Sequence, residues 1–451
     1  MLAGCNFWAW GGLARQAADH DNWRRGDDYC GDPAQEEQGL NSVYLCDSST
    51  IAIIREAAAR VNAPSAEMVL EGDWMFTRGD RRPLRVAVSA FDDARHDVEL
   101  KVLRDTDGSL QTSFDRKAAG GDTLSFRLDL EPGFYNVEIY VDGLLRHRGG
   151  IGCDPEAIVS PTDAQDDFDQ FWSDRLGELA QTAPQYRLTL MPEHSDDVRR
   201  TYRVDMVSWG GEPITGVLCE PVAEGCYPVM VSFMGYNCQP WLENPSASPQ
   251  RIDFTLCTRA QGLSRDFSEP ADFCTRGLSS RDTYYYGGAF LDCVRGIDFV
   301  CSLPKADKNR IYAGGGSQGG AFTLAAASLD HRIRAIAPFV PFLSDYPDYF
   351  NIVSWPGNEI LAAAEKLGMA DEDLYRTLSY FDIKNLAGRI ECPVLMGFGL
   401  QDGVCPPHTN FAGYNMIRSD KRWVCFPRSG HHVEKDAGWW AARDRFFAEN
   451  Q

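Results

Sequence analysis

The sequence predicts an α/β protein whose main sheet is mostly parallel and is preceded by a small antiparallel β-sandwich. From about residue 185 onward, apolar runs alternate with helical patterns, which indicates a parallel sheet covered on both faces. Between residues 66 and 152, apolar and polar residues alternate in short segments separated by Gly and Asp, as in half-buried antiparallel strands. The chain therefore divides into residues 1–63, 66–152 and 153–451.

The composition is that of a globular protein and excludes several classes of partner. Of the 451 residues, 44% are hydrophobic and 24% are charged, so the chain is neither disordered nor fibrous. Against 65 Asp and Glu it has 44 Lys and Arg, which gives a net charge of −21. That charge repels phosphate backbones and anionic lipids, so neither a nucleic acid nor a membrane is expected as a partner.

Neither a cofactor nor a leader segment is predicted. The 14 cysteines include no C-x-x-C pair and the histidines form no cluster, so no metal site is expected and most thiols are expected to be buried. The first residues lack a positive region followed by a long apolar run, which argues against a signal peptide. No apolar stretch reaches the roughly 18 residues of a membrane span.

The elements follow from local patterns. Residues 50–61 carry apolar side chains at helical spacing after three residues suited to an N-cap, and residues 98–102 and 124–130 have the period of strands. A second helix is predicted at 168–179 and a third at 320–329. The remaining strands are predicted at residues 227–234, 252–257, 311–313, 335–340, 393–398 and 423–426.

A glycine-rich segment between a strand and a helix indicates a nucleophile. Gly315-Gly316-Ser317-Gln318-Gly319 fits the pattern G-x-S-x-G, and this setting is that of the sharp turn that exposes the serine in an α/β-hydrolase fold. A phosphate-binding loop or an ordinary tight turn is the alternative, but neither G-x-x-x-x-G-K-[ST] nor a dinucleotide fingerprint is present. Ser317 is therefore the predicted nucleophile of an α/β-hydrolase.

A serine hydroxyl needs a base, and the base needs a carboxylate to orient it. In this fold the chain order is Ser, acid, His. Asp402 follows the fifth of these strands, although a plain Asp-Gly turn is its alternative. His431 and His432 both follow the last strand, and spacing favours His431 only slightly. His408 begins a predicted helix six positions after Asp402, so a structural role is expected.

Acyl transfer also needs hydrogen-bond donors for the developing oxyanion. The backbone N–H of Gln318, which follows the nucleophile, is one expected donor, and the second is expected from a loop after an earlier strand. Gly235-Tyr236-Asn237 follows the strand at 227–234. The Tyr236 N–H is therefore the second predicted donor, with a simple turn as the alternative.

Further segments match the motifs of a known family. They are residues 234–237, 258–262, 275–277 with 282–286, 314–320, 376–382 and 402–407. With them, residues from about 166 to 450 resemble carbohydrate esterase family seven, the acetyl xylan esterases and cephalosporin C deacetylases. The resemblance implies Ser317 as nucleophile, Asp402 as acid, His431 rather than His432 as base, and oxyanion donation from the backbone of Tyr236 and Gln318.

Two departures from the family pattern have consequences. The family's Arg-Gly-Gln-Gly reads Arg259-Ala260-Gln261-Gly262 here, and the added methyl is tolerated if the backbone of Ala260 is not left-handed. The segment between Gly262 and Thr275 is shorter than is usual in the family, where it helps to build a hexamer and narrows the entrance. A more open cleft that suits larger acetylated oligosaccharides is expected, and formation of a homo-oligomer stays open.

The first segment resembles another family. Residues 4–12 and 31–44 look like the C-terminal end of a family-five β-mannanase, a remnant of its (β/α)8 barrel. A whole barrel takes about 250 residues, and glycosidic cleavage needs paired carboxylates on earlier strands. No mannanase activity is therefore expected from this chain, which resembles the tail of a larger mannanase–esterase fusion.

These expectations combine into a serine esterase that removes O-acetyl groups from acetylated plant polysaccharides or oligosaccharides through an acyl-enzyme. The mannanase-like segment favours mannan or glucomannan over xylan. A broad carboxylesterase, a cephalosporin C deacetylase-like enzyme or a serine peptidase on the same fold is one alternative. A non-catalytic carbohydrate-binding protein is another, although a spacer is the favoured role of the sandwich. The location is extracellular or periplasmic for a secreted fusion, and cytoplasmic if Met1 is the true start.

Overall fold

The computed structural model describes residues 63–240, 250–268 and 272–451. The helix predicted at 50–61 lies outside the described residues, as does the barrel remnant apart from its last residue. Among the helices described, none is both long and apolar enough to cross a membrane.

Eight strands at the start of the described chain form two sheets. They are β1 (Ser65–Met68), β2 (Met75–Phe76), β3 (Leu84–Ser89), β4 (His96–Arg104), β5 (Leu110–Ala118), β6 (Thr123–Phe126), β7 (Gly133–Val141) and β8 (Leu144–Cys153). One sheet has the order β1-β3-β6 and the other β2-β8-β7-β4-β5. All pairs except β2–β8 are antiparallel, so the two antiparallel sheets predicted for this part are present.

Alternate side chains of these strands are buried, which explains their period of two. On β3, Leu84, Val86 and Val88 are buried while the residues between them are partly exposed. Phe114 on β5 contacts Phe126 on β6 from the other sheet, with ring centroids 5.3 Å apart. The strand predicted at 124–130 ends at Phe126, because the alternation beyond it reflects burial of Leu128 and Leu130 rather than strand pairing.

The larger sheet has nine strands. They are β9 (Arg187–Leu190), β10 (Arg199–Val207), β11 (Pro213–Pro221), β12 (Tyr227–Phe233), β13 (Ile252–Cys257), β14 (Ala306–Gly316), β15 (Ala335–Phe339), β16 (Val394–Gly399) and β17 (Lys421–Phe426). Their order is β17-β16-β15-β14-β12-β13-β11-β10-β9. The strands β12 to β17 pair in parallel, whereas β9, β10 and β11 add an antiparallel edge.

Nine α-helices are described alongside these strands. They are α1 (Phe168–Gln181), α2 (Tyr285–Ser302), α3 (Gln318–Leu329), α4 (Tyr346–Ile352), α5 (Gly357–Lys366), α6 (Asp371–Ser379), α7 (Ile383–Leu386), α8 (Pro407–Met416) and α9 (Ala437–Glu449). Helix α3 is buried at every position, so its sequence has no polar face. It follows β14 directly and therefore begins at the carboxyl edge of the sheet.

The two N-terminal sheets pack on the strands and helices that follow. Phe134 on β7 contacts Phe398 on β16 and Phe411 on α8, with ring centroids 6.3 and 5.6 Å apart. Gln401 accepts a hydrogen bond from the backbone N–H of Gly150 at 2.6 Å and donates one to the carbonyl of the same residue at 3.2 Å. Residues 63–451 accordingly form one compact unit.

Candidate active site

Ser317 lies on a tight turn between β14 and α3. Its backbone adopts φ 58° and ψ −123°, a region that costs a residue with a side chain about 1–3 kcal/mol. The turn is held because the Ser317 N–H donates to the carbonyl of Phe339 at 3.1 Å. Gly315 and Gly319 leave room for it, since a Cβ on either would lie 2.4 or 2.2 Å from the carbonyl oxygen of Phe233. The G-x-S-x-G spacing is therefore a packing requirement of this turn.

The structure brings the three residues of the predicted triad together. His431 Nε2 lies 2.9 Å from Ser317 Oγ, and His431 Nδ1 lies 2.9 Å from Asp402 Oδ2. The other oxygen of Asp402 accepts the backbone N–H groups of Val404 and Cys405 at 2.8 and 2.9 Å. The Asp402 side chain has no exposed surface, so both of its oxygens are satisfied by fixed partners.

Burial and neighbouring groups set the protonation of this cluster. Burial lowers the pKa of His431, but the adjacent Cys405 sulfur and the Asp402 carboxylate outweigh it, so the pKa lies above the ordinary 6.5. Burial also raises the pKa of the Cys405 thiol, against the opposing influence of His431. Sequence reasoning assigned no role to Cys405.

The two predicted oxyanion donors belong to segments that adjoin the nucleophile turn. Gln318 is the first residue of α3, so its N–H is one of the four without an acceptor inside the helix. Tyr236 follows β12 in a turn. A hydrogen bond of 3.3 Å from the Cys238 N–H to the carbonyl of Gly235 closes this turn. A Cβ on Gly235 would lie 3.7 Å from the carbonyl oxygen of Gly316, which places this loop against the nucleophile turn.

Gln261 connects these two segments, and sequence reasoning gave it no role beyond its motif. Its Oε1 accepts the backbone N–H of Asn237 at 2.9 Å and the side-chain amide of Gln318 at 3.0 Å. Its own amide donates to Tyr285 Oη at 2.8 Å. Because Gln261 is 1% exposed, this network fixes the loop of Tyr236 relative to the start of α3.

The backbone conformation of Ala260, the residue before Gln261, differs from the one that the sequence analysis required for an unstrained loop. The added methyl of Ala260 is tolerated without strain only if its backbone is not left-handed, yet Ala260 has φ 59°. A side chain in this region costs about 1–2 kcal/mol relative to the right-handed conformation. The buried hydrogen bonds of Gln261 hold the loop in this shape.

The other two histidines that follow Asp402 in the chain, His408 and His432, lie outside the triad. His432 is about half exposed and its Nδ1 lies 2.9 Å from Glu434. His408 lies between Asp348 and Asp105, at 3.1 and 3.4 Å from its two ring nitrogens. Burial lowers the pKa of His408, but these two carboxylates raise it to about 10. The ring is therefore charged and links α8 to α4 and to the residue that follows β4.

One cluster among the described residues has the side chains of a metal site. Ligand atoms of Asp345, Asp348 and His408 lie within 4.8 Å of one another. Lys384 Nζ lies 3.0 Å from Asp345, and the charged ring of His408 faces Asp348. Cationic side chains thus already neutralise these carboxylates, and the arrangement is that of an ion-pair network.

Comparisons with known proteins identify the family of the chain. Residues 159–447 match the acetyl xylan esterase (AXE1) family, and residues 1–66 match the β-mannosidase-like segment of glycoside hydrolase family 5. The acetyl esterase Axe7A of Xylanibacter ruminicola is 27% identical, over 81% of this chain and 86% of that protein. Both resemblances read from the sequence are therefore confirmed.

Two solved structures share the fold of the C-terminal part. Acetyl xylan esterase 1 from Thermoanaerobacterium sp. JW/SL YS485 is 27% identical with a TM-score of 0.60, and covers 65% of this chain and 97% of that one. The acetyl xylan esterase from Paenibacillus sp. R4 is 31% identical with a TM-score of 0.61, and covers 66% and 98%. The predicted α/β-hydrolase fold is confirmed. The chain belongs to the acetyl xylan esterase (AXE1) family and is a carboxylic ester hydrolase.

Proposed function

We propose that this esterase removes O-acetyl groups from acetylated plant oligosaccharides or polysaccharides through an acyl-enzyme on Ser317. One observation carries the proposal. The His431 ring bridges Ser317 Oγ and Asp402 Oδ2 at 2.9 Å each, which is hydrogen-bond distance for proton transfer.

The steps follow from this geometry. Ser317 Oγ attacks the acetyl carbonyl while its proton passes to Nε2 of His431. Asp402 accepts the Nδ1–H and holds the ring in the required tautomer. The N–H groups of Tyr236 and Gln318 stabilise the oxyanion of the tetrahedral intermediate. His431 then protonates the departing sugar oxygen, and a water activated by the same ring releases acetate and restores Ser317.

The sugar backbone is the finer part of the proposal. The β-mannosidase-like segment at residues 1–66 favours acetylated mannan or glucomannan, whereas the two solved structures that share the fold are named for xylan. Acetate release from acetylated glucomannan and from acetylated xylan, compared at equal acetyl content, decides between them. A higher kcat/KM on glucomannan is expected, and a preference for xylan would contradict this part alone.

Replacement of the nucleophile tests the mechanism. Ser317→Ala is expected to lower kcat on p-nitrophenyl acetate by about 10³–10⁶, as when a triad is broken. Ser302→Ala, at the far end of α2, is the matched control and is expected to keep wild-type turnover. Near-normal turnover by Ser317→Ala would refute the assignment.

A further inference from the structure

Trp355 presents an indole ring to solvent close to the candidate active site. Its side chain lies just after α4 and is 40% exposed, the largest exposed fraction of any tryptophan among the described residues. Large aromatic side chains are usually buried, and those left exposed beside a site often contact a ligand. The position of this ring therefore calls for a functional explanation.

The segment that carries Trp355 contacts the loop of Tyr236 and the loop after Asp402. The Trp355 ring meets the ring of Tyr236 edge to face, with centroids 6.1 Å apart and planes at 85°. Tyr236 is the residue whose backbone is the proposed oxyanion donor. Within α4, Tyr349 Oη donates to the carbonyl of Val404 at 3.1 Å, and Val404 lies two residues after Asp402. Trp355 thus contacts the residue that carries one proposed oxyanion donor, on a segment that also contacts the loop after Asp402.

The neighbours of Trp355 hold its ring in one orientation. Its indole hydrogen-bonds to the carboxylate of Glu359. Tyr236 packs against Phe273, with centroids 5.3 Å apart, and donates from Oη to Asp272 at 3.2 Å. Burial and the charge of Asp272 raise the pKa of Glu359. A fixed aromatic surface therefore stands beside two hydrogen-bond acceptors.

This combination matches the chemistry of a sugar ring. A pyranose has faces of C–H groups, which pack on an aromatic face, and an edge of hydroxyl groups, which donate to carboxylates. A long acyl chain fits less well, because it would remove the two carboxylates from water without donating a hydrogen bond to either of them. We infer that Trp355 is a stacking platform for a sugar ring of the acetylated substrate, with Glu359 and Asp272 as acceptors for its hydroxyl groups.

The inference rests on the proposed function and adds a specificity-determining residue to it. Trp355 touches the leaving sugar rather than the acetyl group. Its loss therefore weakens binding of carbohydrate esters, whereas an ester without a ring is hydrolysed as before.

The test compares two substrates on three variants. Trp355→Ala is expected to raise KM for an acetylated glucomanno- or xylo-oligosaccharide about tenfold, as for the loss of one aromatic stacking contact. It is expected to leave kcat/KM on ethyl acetate within about twofold of wild type. Trp355→Phe keeps a smaller aromatic ring, and its KM for the oligosaccharide is expected to lie between those of the wild type and Trp355→Ala. Phe91→Ala, which removes a side chain 79% exposed in a loop of the N-terminal sheets, is the matched control.

Ethyl acetate is required because the ring of p-nitrophenyl acetate could itself stack on Trp355. An unchanged KM for the oligosaccharide in both Trp355 variants would overturn the inference. Equal losses on both substrates would also overturn it, since they would assign the ring a purely structural role. If Trp355→Ala does not fold, Trp355→Phe still has to raise KM on the oligosaccharide alone. A wild-type enzyme that hydrolyses ethyl acetate but releases no acetate from oligosaccharides would instead refute the proposed function, and the platform with it.

Discussion

The glycine two residues after the nucleophile offers a direct test of the site geometry. Gly319 lies in the first turn of α3, and a Cβ built on it would sit 2.2 Å from the carbonyl oxygen of Phe233 and 3.0 Å from the carbonyl carbon of Met234. Real Cβ contacts essentially never fall below 3.0 Å. Both neighbours are backbone atoms, so no side-chain rotation can relieve the contact.

The size of the effect follows from what must move. The two backbones must separate by about 0.8 Å, an overpacking that typically costs about 1–3 kcal/mol of stability. Phe233 ends β12, and the loop that carries the Tyr236 N–H begins immediately after it. A displacement of about 1 Å at a reacting geometry costs about 10²-fold in rate. Gly319→Ala is therefore expected to keep its fold, lose a few degrees in Tm and lose about 10²-fold in kcat.

The assay is kcat on p-nitrophenyl acetate beside a thermal unfolding curve of the same sample. Gly177→Ala is the matched control, because Gly177 lies in α1 with no atom within 4 Å of a new Cβ. That change is expected to raise stability by about 0.5–1 kcal/mol, as for a helix interior, at unchanged kcat. Wild-type kcat in a folded Gly319→Ala would show that β12 and α3 do not pack as described, and the reasoning would fail.

Four further outcomes are expected. His431→Gln is expected to lose activity by a factor of about 10³ or more, whereas His432→Gln is expected to stay within about twofold of wild type on the same ester. Because the base must be neutral and the pKa of His431 is raised, kcat/KM is expected to rise with pH through a limb above 6.5. Ala260→Gly removes the side chain from a residue with a left-handed backbone and is expected to raise Tm by about 1–3 °C. Asp105→Asn is expected to lower Tm most below pH 6.5, with the deficit shrinking as pH rises towards 10, where the raised pKa of His408 lets the ring lose its charge.

Controls and contrary results are specific to each change. Asp115→Asn, an exposed carboxylate on β5, is expected to shift Tm little at either pH, and a pH-independent deficit in Asp105→Asn would contradict the charged His408. Ala321→Gly in α3 is expected to lower Tm, in contrast to Ala260→Gly. Equal losses in the two histidine variants would remove the distinction between His431 and His432. An activity limb below pH 6.5 would show that the pKa of His431 is not raised.

The parallel half of the fold was predictable because its strands are buried on both faces. The strand predicted at 252–257 coincides with β13, and the other predicted runs differ from the observed strands by a few residues at their ends. The strand predicted at 311–313 is part of the longer β14, since Gly314 and the glycines after it have no side chains to show a period. The antiparallel strands β10 and β11 were not predicted individually. Charged residues interrupt the apolar pattern of β10, and Arg199 is 1% exposed because it pairs with Asp253 at 2.8 Å.

The candidate site shows a similar division between chemistry and conformation. Residue types and chain order were enough to select Ser317 and Asp402, because the nucleophile turn and the acid each follow a strand at the same edge of the sheet. Spacing could not separate His431 from His432, since the choice depends on how the loop after β17 turns. The left-handed backbone of Ala260 could not be predicted from the sequence either. Alanine disfavours this conformation, which the surrounding hydrogen bonds impose.

The contacts of the N-terminal sheets bear on what those strands contribute. The residue before the proposed catalytic acid, Gln401, exchanges two hydrogen bonds with Gly150 of β8. A Cβ on Gly150 would lie 2.5 Å from the carbonyl oxygen of Leu400, so β8 packs directly against the loop that holds Asp402. The similarity to Axe7A covers more of the chain than the segment from residue 159 onward can supply, so it extends into these strands. The pattern of apolar residues in the sequence separates the two N-terminal sheets from the esterase part. The contacts of Gly150 join them where the acid is positioned, which is more than a spacer requires.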